Sequence, residues 1–278
     1  MKTRAGRETH RTCGRTRDSA LMVRGFEDLV EEGAAAPVDG WDFSWLEGRA
    51  TEERPSWGYQ GLLASRLGDV DAVLDLQTGG GEVLGGALDR AGSVPSVVAA
   101  TESWRPNLSR AAARLRPAGG AVVGAADAGP LPFADGVFDL VSCRHPTTVP
   151  WAEAARVLRP GGSYLAQHVG PASVFELVEF FLGPQPEARR ARDPQDEADA
   201  ARAAGLEVAE LGSERLRMEF FDVGAVVYLL RKVVWLVPGF TVAAHRGRLR
   251  ELHERIAAGG PFVAHASRTL IEARKPGR

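Results

Sequence analysis

The sequence predicts an α/β protein built on a doubly wound, largely parallel sheet. Three observations carry this. Short apolar runs alternate with helix-period segments from Asp71 to Gly170, the pattern of a parallel sheet covered on both faces. The first apolar run, "AVLDLQ", leads into the glycines of "TGGGE". Acids then stand at the ends of three successive predicted strands, Asp75, Glu102 and Asp127, where the ligand crevice of such sheets lies.

The elements follow in order. Residues 26–66 read as a helical N-terminal cap, mixing aromatics with turn residues. "AVLDLQ" is a buried strand, and "GEVLGGALDRAG" a helix opened by glycines. "SVVAAT" is the second strand. "RPNLSRAAARL" is a helix with Pro106 in its first turn, where proline is favoured. "GAVVGAAD" and "VFDLVSCR" are the third and fourth strands, "WAEAARVLRPGG" a helix stopped by Pro160, and "SYLAQHVG" the fifth strand. Beyond Gly170 the pattern loosens into an amphipathic helix at "ASVFELVEFFLG", a polar connection, and a further helix–strand step at "EADAARAAG" and "LEVAELGSERL". Helices around 221–236 and 241–258 precede a closing strand, "FVAHASRTLIEAR", at 262–274.

Composition bounds the function. The chain has 278 residues, 44% of them hydrophobic, enough for one large domain. A net charge of −2 and a pI near 6.3 argue against nucleic acid as the main partner. The two cysteines, Cys13 and Cys143, form no metal-binding spacing and no disulfide framework. No metal site is expected, and the compartment reads as cytoplasm. The longest apolar stretch, Phe220 to Phe240, is interrupted by Asp222, Arg231 and Lys232, so a membrane span is not expected. Residues 1–22 are basic and read as a disordered tail, or as a start placed too far upstream of Met22.

Each feature at the strand tips has a chemical use. Glycine lets backbone approach a ligand and permits φ > 0. An acid ending the second strand, Glu102, can accept from both ribose hydroxyls, and one after the third, Asp127, from an adenine amine. The dinucleotide fingerprint fails, because its third glycine would fall at Leu84, and no G-x-x-x-x-G-K-S/T sequence is present.

"VLDLQTGGGE", "AATES", "AADAGPLPFADGVFDLVSCRH" and "EAARVLRPGGSYLAQ" together resemble the class I S-adenosylmethionine-dependent methyltransferases, the methyltransferase type 11 proteins in particular. The likeness covers residues 60–170 and extends to the closing strand. It implies a Rossmann-like, doubly wound sheet of seven strands with the last antiparallel. It also implies the helical cap, a cofactor-binding core at 67–170, and acceptor-covering helices at 171–258 inserted before the last strand, all within one domain, 23–278.

The resemblance also implies site roles. Asp75 orders the loop and reaches the methionine end of S-adenosylmethionine; Gly79 and Gly81 lie beneath the cofactor. Glu102 holds the ribose, and Asp127 with the backbone of Ala126 or Ala128 holds adenine; Ser142 joins the cofactor-binding set. Arg54 is placed to pair with the methionine carboxylate and Trp57 or Tyr59 to cover it, or the three form an aromatic cap on the sheet. The family pattern is D-x-G-x-G-x-G, and Gln77 replaces its first glycine. Gln77 either points away or bonds the methionine group, or it crowds the sulfonium.

His145, after the fourth strand, is the candidate general base, with a pKa near ~6.5 suited to proton removal, or else bonds the turn begun by Pro146. His168 is the runner-up, or a structural histidine. "RHPTT" lacks the tetrad of adenine-methylating enzymes. The expected function is methyl transfer to a small-molecule acceptor. A catalytically inactive protein of the same fold, or an RNA methyltransferase gripping phosphate with its arginines, are the alternatives. Oligomeric state is open.

Overall fold

The computed structural model describes residues 24–277; the expected basic tail, 1–22, lies outside them. The elements are α1 (Phe26–Ala35), β1 (Ala50–Glu52), α2 (Tyr59–Leu67), β2 (Ala72–Leu76), α3 (Glu82–Leu88), β3 (Val97–Glu102), α4 (Arg105–Leu115) and β4 (Ala121–Gly124). They continue as β5 (Phe138–Arg144), α5 (Trp151–Val157), β6 (Leu158–Val169), α6 (Phe175–Leu182), α7 (Pro194–Ala203), β7 (Glu207–Phe220), α8 (Val223–Lys232), α9 (Val242–Gly259) and β8 (Phe262–Arg274).

One sheet runs through the chain in the order β1-β7-β8-β6-β5-β2-β3-β4. β4, β3, β2, β5 and β6 are parallel, and β8 is antiparallel to both β6 and β7. The sheet has eight strands rather than the expected seven. The additional one is β1, three residues long, antiparallel to the outer edge of β7. It falls inside the region expected to be a helical cap, of which only α1, α2 and a short turn at Ser44–Leu46 are helical. Nothing in "ATE" alternates over enough residues to announce a strand; it is held by its partner. Glu53 N–H donates to Arg217 O at 2.9 Å, and Arg217 N–H donates back to the Glu53 carboxylate at 2.8 Å. Between 171 and 258, the strand expected at "LEVAELGSERL" is β7, which runs on to Phe220 and is 14 residues long.

Local chemistry sets the boundaries. α4 has its proline in the first turn. Asp193, Asp222 and Thr241 cap α7, α8 and α9, each side chain accepting a backbone N–H of the first turn. α5 stops at Val157, earlier than expected, because Leu158 is already extended and Arg159 precedes Pro160.

Three buried clusters hold the layers. Leu63, Leu67, Leu84, Leu140, Leu165 and Leu270 pack α2 and α3 on one face of the sheet. Leu74, Phe138, Val157, Tyr164, Ala201 and Ile271 pack α5 and α7 on the other. The third lies beyond the tip of β6, where β7 and β8 run on together and gather α1, α6, α8 and α9 around Leu216, Phe220 and Phe262. Within the apolar stretch Phe220–Phe240, α8 lies at the centre of this cluster, buried on nearly every side. None of the helices among the described residues is long and apolar enough to cross a membrane.

α1 and α8 meet backbone to backbone. A Cβ added at Gly33 would lie 2.4 Å from Gly224 O, and one added at Gly224 would lie 2.5 Å from Leu29 O. Gly33→Ala is expected to lower stability by about 2 kcal/mol in chemical denaturation, since overpacking outweighs the ~1 kcal/mol gain in helix propensity. An unchanged midpoint contradicts this close approach.

Candidate active site at the strand tips

The carboxyl ends of β2, β3, β4 and β5 converge on one crevice. Glu102 closes β3 and is buried. Its Oε2 accepts from Gly79 N–H at 2.8 Å and its Oε1 from Trp104 N–H at 2.8 Å. The acid thereby fixes the glycine loop after β2 and the entry to α4 at once. Each carboxylate oxygen retains acceptor capacity toward the crevice. Gly79 and Gly81 adopt φ of +64° and +76°, the left-handed region glycine occupies without cost.

Asp75 lies beneath this loop, buried, and Ser142 Oγ on the neighbouring strand donates to its Oδ1 at 2.6 Å. Burial pushes its carboxyl up to about 6, against the pull of the adjacent Ser142 and Thr78 hydroxyls. Thr78 Oγ1 is itself buried, without a hydrogen bond of good geometry among the described residues.

Gln77 is a non-glycine residue at φ +51°, a conformation costly for a side chain. Its amide explains the tolerance. Nε2 donates to Thr148 O at 2.7 Å, and Oε1 accepts from Thr147 N–H at 2.8 Å. Thr147 Oγ1 in turn donates to Asp127 Oδ2 at 2.6 Å. A continuous bridge thus joins the loop after β2, the loop after β5 and the acid after β4. Ala126 and Ala128 flank Asp127 at the surface, with a turn closed by Gly129 N–H on Ala126 O. Trp41, from the connection between α1 and β1, lies over Gly79: its Cδ1 is 3.5 Å from where a Cβ would project. It stacks on Phe43 and leans on Trp235. Trp41 and Thr147 belong to the crevice but are not among the sequence-based candidates; "WDF" falls within the expected helical cap, 26–66.

Other expectations need correction. Tyr59, expected to cover the cofactor, is buried with its hydroxyl 3.0 Å from both Cys143 O and Leu165 O, so it ties α2 to the sheet. Trp57 Nε1–H donates to Gln167 Oε1 at 2.8 Å. Arg54 is exposed on the segment after β1. Of the three, Trp57 and Tyr59 follow the reading of an aromatic cap packed on the sheet.

His145 does not fit a general base. An indole N–H only donates, so Gln167 must face Trp57 with its oxygen and His145 with its amide nitrogen. That nitrogen is 2.9 Å from His145 Nε2, which therefore accepts and carries no proton. The proton sits on Nδ1, and burial, then Arg144 and Arg268, hold the imidazole's pKa well below its ordinary value. His168 is buried on the opposite face against Trp151 and Tyr164, its Nε2 3.2 Å from the Tyr164 hydroxyl. Burial brings it down to about 4. It is a core histidine away from the crevice. Asp222 caps α8 through Ala225 N–H at 2.9 Å.

Residues 74–166 match the family model of a methyltransferase domain, methyltransferase type 11. Among solved structures the chain is similar to a Bacillus halodurans protein assigned as a methyltransferase. The two share 22% identity over 78% of this chain and 98% of that one, with a TM-score of 0.56. The YcgJ protein of Bacillus subtilis gives 17% identity over 79% and 99%, with a TM-score of 0.55. A functionally unknown protein of Deinococcus radiodurans gives 17% over 81% and 90%, with a TM-score of 0.52. At these identities the likeness establishes the fold. No curated protein matches the chain. Residues 74–166 are therefore similar to a methyltransferase domain, and they lie on an α/β, Rossmann-like fold.

Asp75 and His168 have opposite effects on stability. Folding raises Asp75 from 3.8 to about 6, so ionising it costs stability as pH rises through that window. Folding lowers His168 from 6.5 to about 4, so its contribution is present above 6.5 and is lost as pH falls. Each amounts to about 3 kcal/mol across its window. Asp75→Asn is expected to remove the first effect alone. The variant's stability should climb more steeply with pH between about 4 and 6.5 than the wild type's and exceed it above about 6. Parallel profiles of unfolding free energy contradict this assignment.

Proposed function

We propose that the chain transfers a methyl group from S-adenosylmethionine to a small-molecule acceptor. The observation that carries the reading is the convergence of Glu102, Asp127 and the Gly79–Gly81 loop on one crevice. Glu102 is already locked to the loop by Gly79 N–H at 2.8 Å.

The residues fit the cofactor. Two left-handed glycines leave backbone bare, and the buried Glu102 retains lone pairs for ribose hydroxyls. Asp127, with the backbone of Ala126 and Ala128, suits an adenine amine and ring edge. Asp75, held by Ser142, orders the loop at the methionine end. Gln77 is bonded to Thr147 and Thr148, and so does not occupy the place above Gly79. When bound, the cofactor supplies a methyl on a positively charged sulfur, ready for an in-line nucleophile. The protein's share is positioning and exclusion of water. Trp41 over the loop is placed for the second. Neither His145 nor His168 is placed to take a proton, so an acceptor that arrives already nucleophilic suits the site.

One observation favours the alternative of a binding protein without activity. Thr147 Oγ1 already donates to Asp127, the acid expected to meet adenine. On the catalytic reading the adenine amine displaces that hydroxyl, and the bridge is a modest cost of entry. Calorimetry with S-adenosylhomocysteine is expected to show binding by the wild type. Thr147→Val, which lacks the competing hydroxyl, should bind about threefold to tenfold more tightly, the worth of one hydrogen bond. No heat at millimolar ligand, with either protein, leaves the non-catalytic reading standing.

A further inference from the structure

The α2 face of the sheet carries a second group of side chains beside the cofactor crevice. Alternation along β5 puts Arg144 on the same face as Ser142, about 7 Å further toward the strand tip. Ser142 is the residue bonded to Asp75. Gln167 lies opposite Arg144 in register on β6, and Arg268 lies two residues beyond Leu270, the partner of Gln167 on β8. Above the buried floor of Leu140, Leu165 and Leu270 stands Gln167, and above that a rim of arginines. Arg54, on the segment leaving β1, belongs to the same rim, within electrostatic reach of Arg144.

The charges on this rim do not balance. Arg268 is largely buried and is paired with Glu52; it also donates to Ser267 O at 3.0 Å and Ser173 Oγ at 3.3 Å. Arg144 and Arg54 make no hydrogen bond or ion pair among the described residues, and both are exposed. Of these three guanidiniums only that of Arg268 has a carboxylate partner among the described residues, Glu52. His145 adds a neutral donor, because the Trp57–Gln167 relay leaves its proton on Nδ1. The backbone that presents it is held in the left-handed region, φ +58°, by His145 N–H on Gln167 O at 2.7 Å. A strained residue fixed this way beside unpaired cations is arranged to donate rather than to accept. Partial loss of solvation among its neighbours, then Arg268, pushes the pKa of Arg144 down, yet a guanidinium stays charged. An arginine so crowded gains from an anion, which its guanidinium can hold with two parallel hydrogen bonds.

We propose that the rim of Arg144 and Arg54, with His145 as neutral donor, is the acceptor subsite and takes an organic acid through its carboxylate. The inference rests on the methyltransferase reading and narrows its acceptor class. It also replaces the base expected at His145 with a positioning residue. A carboxylate held here needs no proton removed in order to bind. The other anion that would suit these arginines is the cofactor's own methionine carboxylate, and the experiment separates the two.

The test uses the full chain saturated with S-adenosylhomocysteine and titrated with benzoate, phenylacetate and their uncharged amides, read by calorimetry and melting temperature. The acids are expected to bind about tenfold more tightly than the amides, as a charge-assisted contact requires. Arg144→Gln should remove that preference while leaving S-adenosylhomocysteine affinity within about threefold, and Arg144→Lys should restore part of it. Acids and amides binding alike, or no acid binding, would overturn the proposal with the methyltransferase reading intact. So would a loss of S-adenosylhomocysteine affinity in Arg144→Gln, which assigns the arginine to the methionine carboxylate. Failure of the wild type to bind S-adenosylhomocysteine at all sinks both readings. Arg144 is exposed, so both variants keep the core, and their melting temperatures check it.

Discussion

The crevice depends on one buried carboxylate holding two backbone N–H groups. Glu102 ends β3, and its two oxygens separately hold Gly79 of the preceding loop and Trp104 at the start of α4. A charge at this depth is tolerated because both oxygens are bonded, and charge-assisted bonds of this kind are the strong ones. The consequence is geometric. The glycine loop cannot drift from the tip of β3, so the two walls of the crevice are fixed relative to each other before any ligand arrives. Ser142 on Asp75 does the same between β5 and β2 one layer below. Preorganisation of this sort is what a protein contributes when the reactive group belongs to a cofactor.

Around this fixed centre the electrostatics are asymmetric. Toward β3 and β4 stand acids, Glu102 and Asp127, suited to hydroxyls and amines. Toward β5, β6 and β8 stand arginines and a neutral histidine donor. The boundary is the Gln77–Thr147–Asp127 bridge, which ties three loops with good hydrogen bonds. On the proposed reading the adenosyl group takes the acidic side and the acceptor the basic side, with the loop after β2 between them. The aromatic group of Trp41, Phe43 and Trp235 closes over the loop from the side of the third core.

Much of this was legible in the sequence, for physical reasons. Buried parallel strands must be apolar and must alternate with helices, so β2 to β6 and β8 could be placed from pattern alone. Acids at strand tips stand out against apolar runs, and Asp75, Glu102 and Asp127 were found that way. What escaped depends on partners distant in the chain. β1 is three residues long and exists only through β7. The fate of Gln77 is decided by Thr147 and Thr148, about seventy residues on. The tautomer of His145 is set by an indole 110 residues from the glutamine it orients. Tyr59 looked like a cofactor cover because its type suits one; its hydroxyl instead finds two strand carbonyls that no local pattern reveals.

The most direct measurement is a crystal structure of the chain soaked with S-adenosylhomocysteine. The ribose hydroxyls are expected on Glu102, with Gly79 N–H still bonded to it, and the adenine amine on Asp127 in place of the Thr147 hydroxyl. Ligand density elsewhere, or an untouched Gln77–Thr147–Asp127 bridge with the crevice empty at saturating ligand, would contradict it.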